Sequence, residues 1–200
     1  MRFATTLFSL LLLAVAGCSD PPWVSAYKSV CEIDVGAGTG SGTLIAVKGD
    51  RALVLTCRHV AENINAVGVA TWKHADDLPY ECKVVSIVQG QAFNNDLALV
   101  ICERPPGVEH IPVSKFSSYA GPWTALGFRG GVMYETVATT AVENSDAIHI
   151  DEPFIKGMSG GPLLNRNGHI VGVVVASDQQ TFGIAANGIA LQELVKSFSQ

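Results

Sequence analysis

The sequence predicts an all-β protein made of two successive sets of short strands followed by a terminal helix. Three observations lead there. Between residues 30 and 112, short apolar runs rich in Val, Ile, Leu and Thr are broken at close intervals by Gly, Asn and Asp. Such spacing is that of a barrel or a sandwich. A second set of runs of the same kind follows a stretch carrying Pro105, Pro106, Pro112 and several serines, which serves as a crossover. Only at the end does the period change to a helical one.

Taken in order, the first set comprises residues 32–35, 42–47, 52–56, 67–72, 83–88 and 97–102, with a single helical turn expected just after His59. The second comprises 122–128, 133–142, 147–151, 161–164, 169–176 and 182–186. Asn187 can cap a helix whose apolar face is Ile189, Leu191, Leu194, Val195 and Phe198, and that face is expected to pack on the strands. The units are therefore 30–112 and 113–200, each of six strands, the second ending in a helix. No repeat at a solenoid period and no low-complexity tract interrupts them.

Before these units comes a leader. Arg2 is followed by an apolar stretch from Leu7 to Ala16, too short to cross a bilayer and shaped like a secretory signal. Its end, Val15-Ala16-Gly17-Cys18, resembles the lipobox of bacterial lipoproteins. That resemblance implies removal of residues 1–17, lipidation of Cys18 and a tether over 18–29, with the membrane as a partner through the lipid alone. An ordinary cleaved signal with a coincidental cysteine is the alternative. The formal net charge of −5, with no basic cluster, argues against nucleic acid as a partner.

The chemistry centres on Gly157-Met158-Ser159-Gly160-Gly161-Pro162. A serine between glycines suits a tight turn with the backbone close to a ligand, where the amides of Gly157 and Ser159 can converge on an oxyanion. A hydroxyl needs a base, and the base needs an orienting group. His59 follows the apolar run Leu53-Val54-Leu55-Thr56, and Asp96 opens Leu97-Ala98-Leu99-Val100-Ile101, so both stand where a strand meets a loop. No His/Cys cluster with metal spacing is present, and neither metal nor organic cofactor is expected. A strand-end histidine or a turn aspartate alone would be a structural residue; the three together, in the order His, Asp, Ser, are the argument.

Thr56-Cys57-Arg58-His59-Val60, Asn95-Asp96-Leu97-Ala98-Leu99 and the Ser159 turn resemble the three signatures of chymotrypsin-fold serine proteases. The nearest branch is similar to the bacterial trypsin-like domains of the Deg/HtrA type. Gly40-Ser41-Gly42-Thr43-Leu44-Ile45, Trp123-Thr124-Ala125-Leu126-Gly127-Phe128, Gly168-His169-Ile170-Val171-Gly172 and Phe182-Gly183-Ile184-Ala185 extend the resemblance over about residues 35–195. It implies two six-stranded β-barrels of the chymotrypsin type, a His59–Asp96–Ser159 triad in the cleft between them, an oxyanion hole from Gly157 and Ser159, and endopeptidase action on protein or peptide substrates. By motif alignment Val175, Ala176 and Ser177 form one wall of the primary pocket, with Gly183 and Ala185 opposite; small or medium aliphatic side chains would fit. His149 reaching the pocket to favour an acidic side chain is a lesser option.

The chain also departs from the family. Met158 replaces the acid that precedes the nucleophile in trypsin-type zymogens, so activation of that sort is not expected. The Deg/HtrA proteins continue into PDZ modules, whereas this sequence stops at Gln200. Arg58 stands where a small or amide residue is usual, and is expected to point outward, since a cation turned inward would depress the pKa of His59. Beyond Cys18, Cys31, Cys57, Cys82 and Cys102 allow three pairings. Placing Cys82 opposite Cys102 on neighbouring antiparallel strands also sets Val84 against Val100, which favours Cys82–Cys102 and leaves Cys31–Cys57. Buried free thiols are the alternative. Against an active peptidase stand two further readings, a latent protease-fold binding or scaffold protein at the envelope and an esterase using the same residues.

Overall fold

A computed structural model of the chain describes residues 22–36, 38–88, 93–117, 119–144, 147–178 and 180–187. The expected signal, Cys18 and the terminal helix lie outside the described residues. A short helix, Pro22–Ala26, and a 3-10 turn, Tyr27–Ser29, lead into the first unit.

The first six strands are β1 (Val30–Val35), β2 (Gly38–Lys48), β3 (Arg51–Thr56), β4 (Val67–Thr71), β5 (Pro79–Ile87) and β6 (Ala98–Glu103). They close into a barrel in the order β1-β2-β3-β6-β5-β4, every observed pairing antiparallel. Closure removes the unpaired edges that an open sheet would present. Ile33, Leu44, Val54, Leu55, Val84, Leu97, Leu99 and Val100 are among its fully buried residues. The β3–β6 pairing matters most for function. Thr56 stands opposite Ala98, so the end of β3 and the start of β6 lie side by side. The helical turn Arg58–Ala61 leaves β3 there, and Asp96 enters β6 there.

The second unit has seven strands, not six. They are β7 (Trp123–Arg129), β8 (Val132–Ala138), β9 (Ala141–Glu143), β10 (Ile148–Ile150), β11 (Pro162–Leu164), β12 (Ile170–Ser177) and β13 (Gly183–Asn187), curled in the order β8-β7-β11-β12-β13-β10-β9. The run expected as a single strand over 133–142 breaks at Thr139 and Thr140. Both of their amides, and the Thr139 hydroxyl, donate to the Asp151 carboxylate. Donors taken by a side chain are lost to the ladder, so the chain turns and β9 pairs with β10 instead of prolonging β8.

The cysteine pairings are corrected by the structure. All four described thiols are free and buried. Cys82 does stand opposite Cys102, and Val84 opposite Val100, but the sulfurs are not joined. Burial pushes the Cys82 thiol up to about 11 and the Cys102 thiol up to about 12. Cys57 does not face Cys31. Its Sγ points to the second unit and donates to the Val174 carbonyl at 3.0 Å, whereas the charges felt by Cys31 are those of Cys102 and Cys82.

Candidate active site

His59 and Asp96 are joined twice. The Asp96 Oδ2 is 2.6 Å from His59 Nδ1, and its Oδ1 accepts the His59 backbone N–H at 2.9 Å. Ring and backbone are thus held by one carboxylate, which leaves Nε2 facing away from Asp96. The Asp96 side chain is 13% exposed and that of His59 47%. Burial works against the charge on Asp96. The hydrogen bond from the His59 ring, its charge, the His59 amide and the Arg58 charge outweigh that burial and hold the carboxyl below its ordinary range.

Arg58 corrects an expectation. It does not turn away: its Nε lies 4.0 Å from Asp96 Oδ1. The guanidinium therefore shares the carboxylate with the imidazole. Behind them sits Cys57, fully buried, with its Sγ, a His59 ring nitrogen and an Asp96 oxygen all within 4.8 Å of one another. These are the one group of potential metal donors among the described residues, but the His59–Asp96 hydrogen bond already occupies two of them. Burial, then the Asp96 charge, pushes the Cys57 thiol well above its usual range, so it sits there neutral, tying β3 to β12.

The Ser159 turn comes from the second unit and is seated on the first. Ser41 N donates to Ser159 O at 2.7 Å. Within the turn, the Met158, Gly160 and Gly161 amides donate to Ile155 O, Val174 O and Met158 O. The amides of Gly157 and Ser159 donate to no group among the described residues. They are the two expected to serve an oxyanion. Gly157 has φ +104 and Gly160 φ +91, a region side chains avoid. A Cβ on Gly160 would lie 2.0 Å from Ser41 O and 2.4 Å from Thr56 Oγ1. Gly160→Ala is therefore expected to cost about 2–4 kcal/mol, read as a fall in urea midpoint, with peptidase activity lost alongside.

The Ser159 hydroxyl does not touch His59. It donates to the Val175 carbonyl at 3.3 Å, and among the described residues no hydrogen bond links Oγ to the imidazole. Beside it opens a cavity of about 370 Å³ lined by Phe154, Ile155, Lys156, Ser159, Val174, Val175, Ala176 and Ser177. Val175, Ala176 and Ser177, expected to wall the primary pocket, lie along this cavity. Gly183 and Ala185 do not line the cavity. The Phe154 ring is packed on Gly183, so close that a Cβ there would be 2.7 Å from it, and Ala185 is buried in the sheet behind. His149 pairs with Ile184 away from the cavity. Ser177 Oγ is already committed, donating to Phe182 O and accepting from Phe154 N. Phe154, Ile155 and Lys156 are not legible as lining residues in the sequence, since a loop residue carries no periodic signal of which way it faces.

A closed six-strand barrel against a curled second sheet is the architecture of the chymotrypsin-like serine peptidases. A model of the trypsin-like peptidase domain matches residues 40–173, and the chain belongs to that family. It is 29% identical over 161 residues to the periplasmic serine endoprotease DegP of Escherichia coli K12, covering 72% of this chain and 32% of that protein. Against DegP of Salmonella typhimurium the figures are 30% over 162 residues, 72% and 32%. The chain thus spans about a third of the length of these curated relatives. Among solved structures, the serine endoprotease from Yersinia pestis superposes with a TM-score of 0.70 at 18% identity, over 88% of this chain and 65% of that one. The inactive form of the Rv3671c protease gives 0.67 at 23%, over 88% and 92%. At these identities the structural likeness speaks for the fold.

Proposed function

We propose that this protein is an envelope endopeptidase in which Ser159 is the nucleophile, His59 the base and Asp96 the orienting acid. The observation that carries the reading is the double clasp of His59 by Asp96. Accepting the ring hydrogen at Nδ1 and the backbone N–H together, the carboxylate selects the tautomer whose Nε2 is free to take a proton. The reaction begins as the Ser159 hydroxyl turns from the Val175 carbonyl to His59 Nε2. Its proton passes to the imidazole while Oγ bonds to the scissile carbonyl carbon. The oxyanion receives the unoccupied amides of Gly157 and Ser159. The C–N bond then breaks as the imidazolium returns its proton to the leaving amine, and water releases the acyl group by the same steps reversed. Neither metal nor cofactor takes part in this scheme.

The cavity beside Ser159 takes the side chain just before the cut. Its walls of Val174, Val175, Ala176 and Ile155, with the Phe154 ring limiting its depth, favour a small or medium aliphatic group. Phe154→Leu is expected to shift preference roughly tenfold toward longer aliphatic side chains, measured by profiling a peptide library. Export is supported by the apolar leader and by the periplasmic setting named for the DegP relatives, and tethering by the Cys18 context. Palmitate labelling lost in Cys18→Ser would test the anchor.

The parked Ser159 hydroxyl gives a specific reason to keep the second reading, a latent protease-fold scaffold. Fluorophosphonate labelling of the purified protein separates the two. Labelling abolished in Ser159→Ala and His59→Ala supports the peptidase; a folded wild type that does not label supports the scaffold.

A further inference from the structure

Ser41, on β2 of the first barrel, spends every polar atom on the nucleophile turn or its surroundings. It is fully buried. Its amide donates to Ser159 O at 2.7 Å, and its carbonyl accepts from the Thr56 hydroxyl at 2.7 Å, three residues before His59. Its own hydroxyl donates to Gly157 O at 2.8 Å and accepts the Phe128 amide at 2.7 Å. No other hydrogen bond reaches Gly157 O among the described residues.

We infer that Ser41 is a positioning residue whose hydroxyl and amide clamp the Gly157–Ser159 turn by its two outer carbonyls, and so hold the oxyanion hole in place. The physical need is plain. Gly157 lacks a side chain and sits at φ +104, so nothing intrinsic to the residue holds its two peptide planes. An N–H aimed at a developing charge works only if it does not have to reorganise when the charge appears. Phe128 O lies 2.6 Å from where a Gly157 Cβ would be, so the glycine is wedged against the end of β7. Ser41 then bridges that strand, through the Phe128 N–H, to the Gly157 carbonyl. The hydroxyl on Gly157 O and the Ser41 amide on Ser159 O pin the two ends of the turn, so a shift that would carry its amides away from the site costs buried hydrogen bonds. The barrel that carries the base thereby sets the electrophile-binding loop on the other unit. This inference rests on the oxyanion role proposed above for Gly157.

The test compares purified wild type with Ser41→Ala and Ser41→Cys, the latter keeping the side-chain volume while weakening both hydrogen bonds. After folding is checked by thermal melt, kcat and KM on a peptide substrate and affinity for a peptide boronate are measured. A misplaced donor is expected to lower kcat roughly ten- to a hundredfold with KM within about twofold, to weaken the boronate in parallel, and to give Ser41→Cys an intermediate loss. Should Ser41→Ala not fold, Ser41→Cys alone carries the comparison. A folded variant with wild-type kcat and boronate affinity overturns the inference while the triad stands. A wild type that neither cleaves nor labels overturns both.

Discussion

Ser159→Ala is expected to lower kcat on peptide substrates by about four to six orders of magnitude while leaving thermal stability within about half a kcal/mol of wild type. The two halves of this result come from different observations. The Ser159 hydroxyl makes one hydrogen bond, to Val175 O, at a long 3.3 Å. The side chain is only partly buried, so its removal orphans little. The backbone of the turn is held by other groups: Ser41 N on Ser159 O, and the Gly160 and Gly161 amides on Val174 O and Met158 O. The scaffold of the site therefore survives without the hydroxyl, and the chemistry does not. Residual turnover well above the uncatalysed rate is expected from the remaining donors. Kinetics and a melting curve on the same preparation check both halves. Peptidase activity near wild type in the variant would place the nucleophile elsewhere.

Asp96→Asn is expected to lower kcat about ten thousandfold and, unlike the serine change, to alter the response to acid. An asparagine can keep one acceptor for the His59 backbone N–H. If its carbonyl does so, its NH2 faces the ring and must be met by an unprotonated Nδ1. That puts the ring proton on Nε2, the wrong tautomer for a base. The pH effect follows from the depressed folded pKa of Asp96, which burial opposes and the His59 contacts and Arg58 produce. A carboxyl whose pKa is lowered on folding stabilises fully above its unfolded value, about 3.9, and that contribution is lost as pH falls through the folded value. Wild type should lose stability on this account below about pH 4, and Asp96→Asn should lack that component. Melting temperature against pH for the two proteins reads the difference. Parallel curves would mean that Asp96 is not the group responsible.

The sequence by itself determined the β-rich class and the positions of the strands within a residue or a few, the run over 133–142 excepted, and it singled out His59, Asp96 and Ser159 as candidates. It could do so because strand periodicity and glycine-bounded turns are local, and because His59 and Asp96 each sit at the end of an apolar run. The register Cys82–Cys102 was legible for the same reason. What only the tertiary structure decided are the relations between elements distant in sequence. The extra strand arises because Asp151 captures the amides of Thr139 and Thr140, an event invisible in either segment alone. The Cys57 thiol is buried between the two units and donates to the Val174 carbonyl of the second, a contact that neither segment shows alone. Arg58 turns inward because Asp96 offers a second oxygen. Gly183 is covered because Phe154, some thirty residues earlier, needs a surface without a side chain to lie on. Ser41 reads in sequence as one polar residue in a glycine-rich strand. Its role becomes visible only when the second unit brings Gly157 and Phe128 to its hydroxyl, since hydrogen-bond geometry depends on ångström distances that no local pattern encodes.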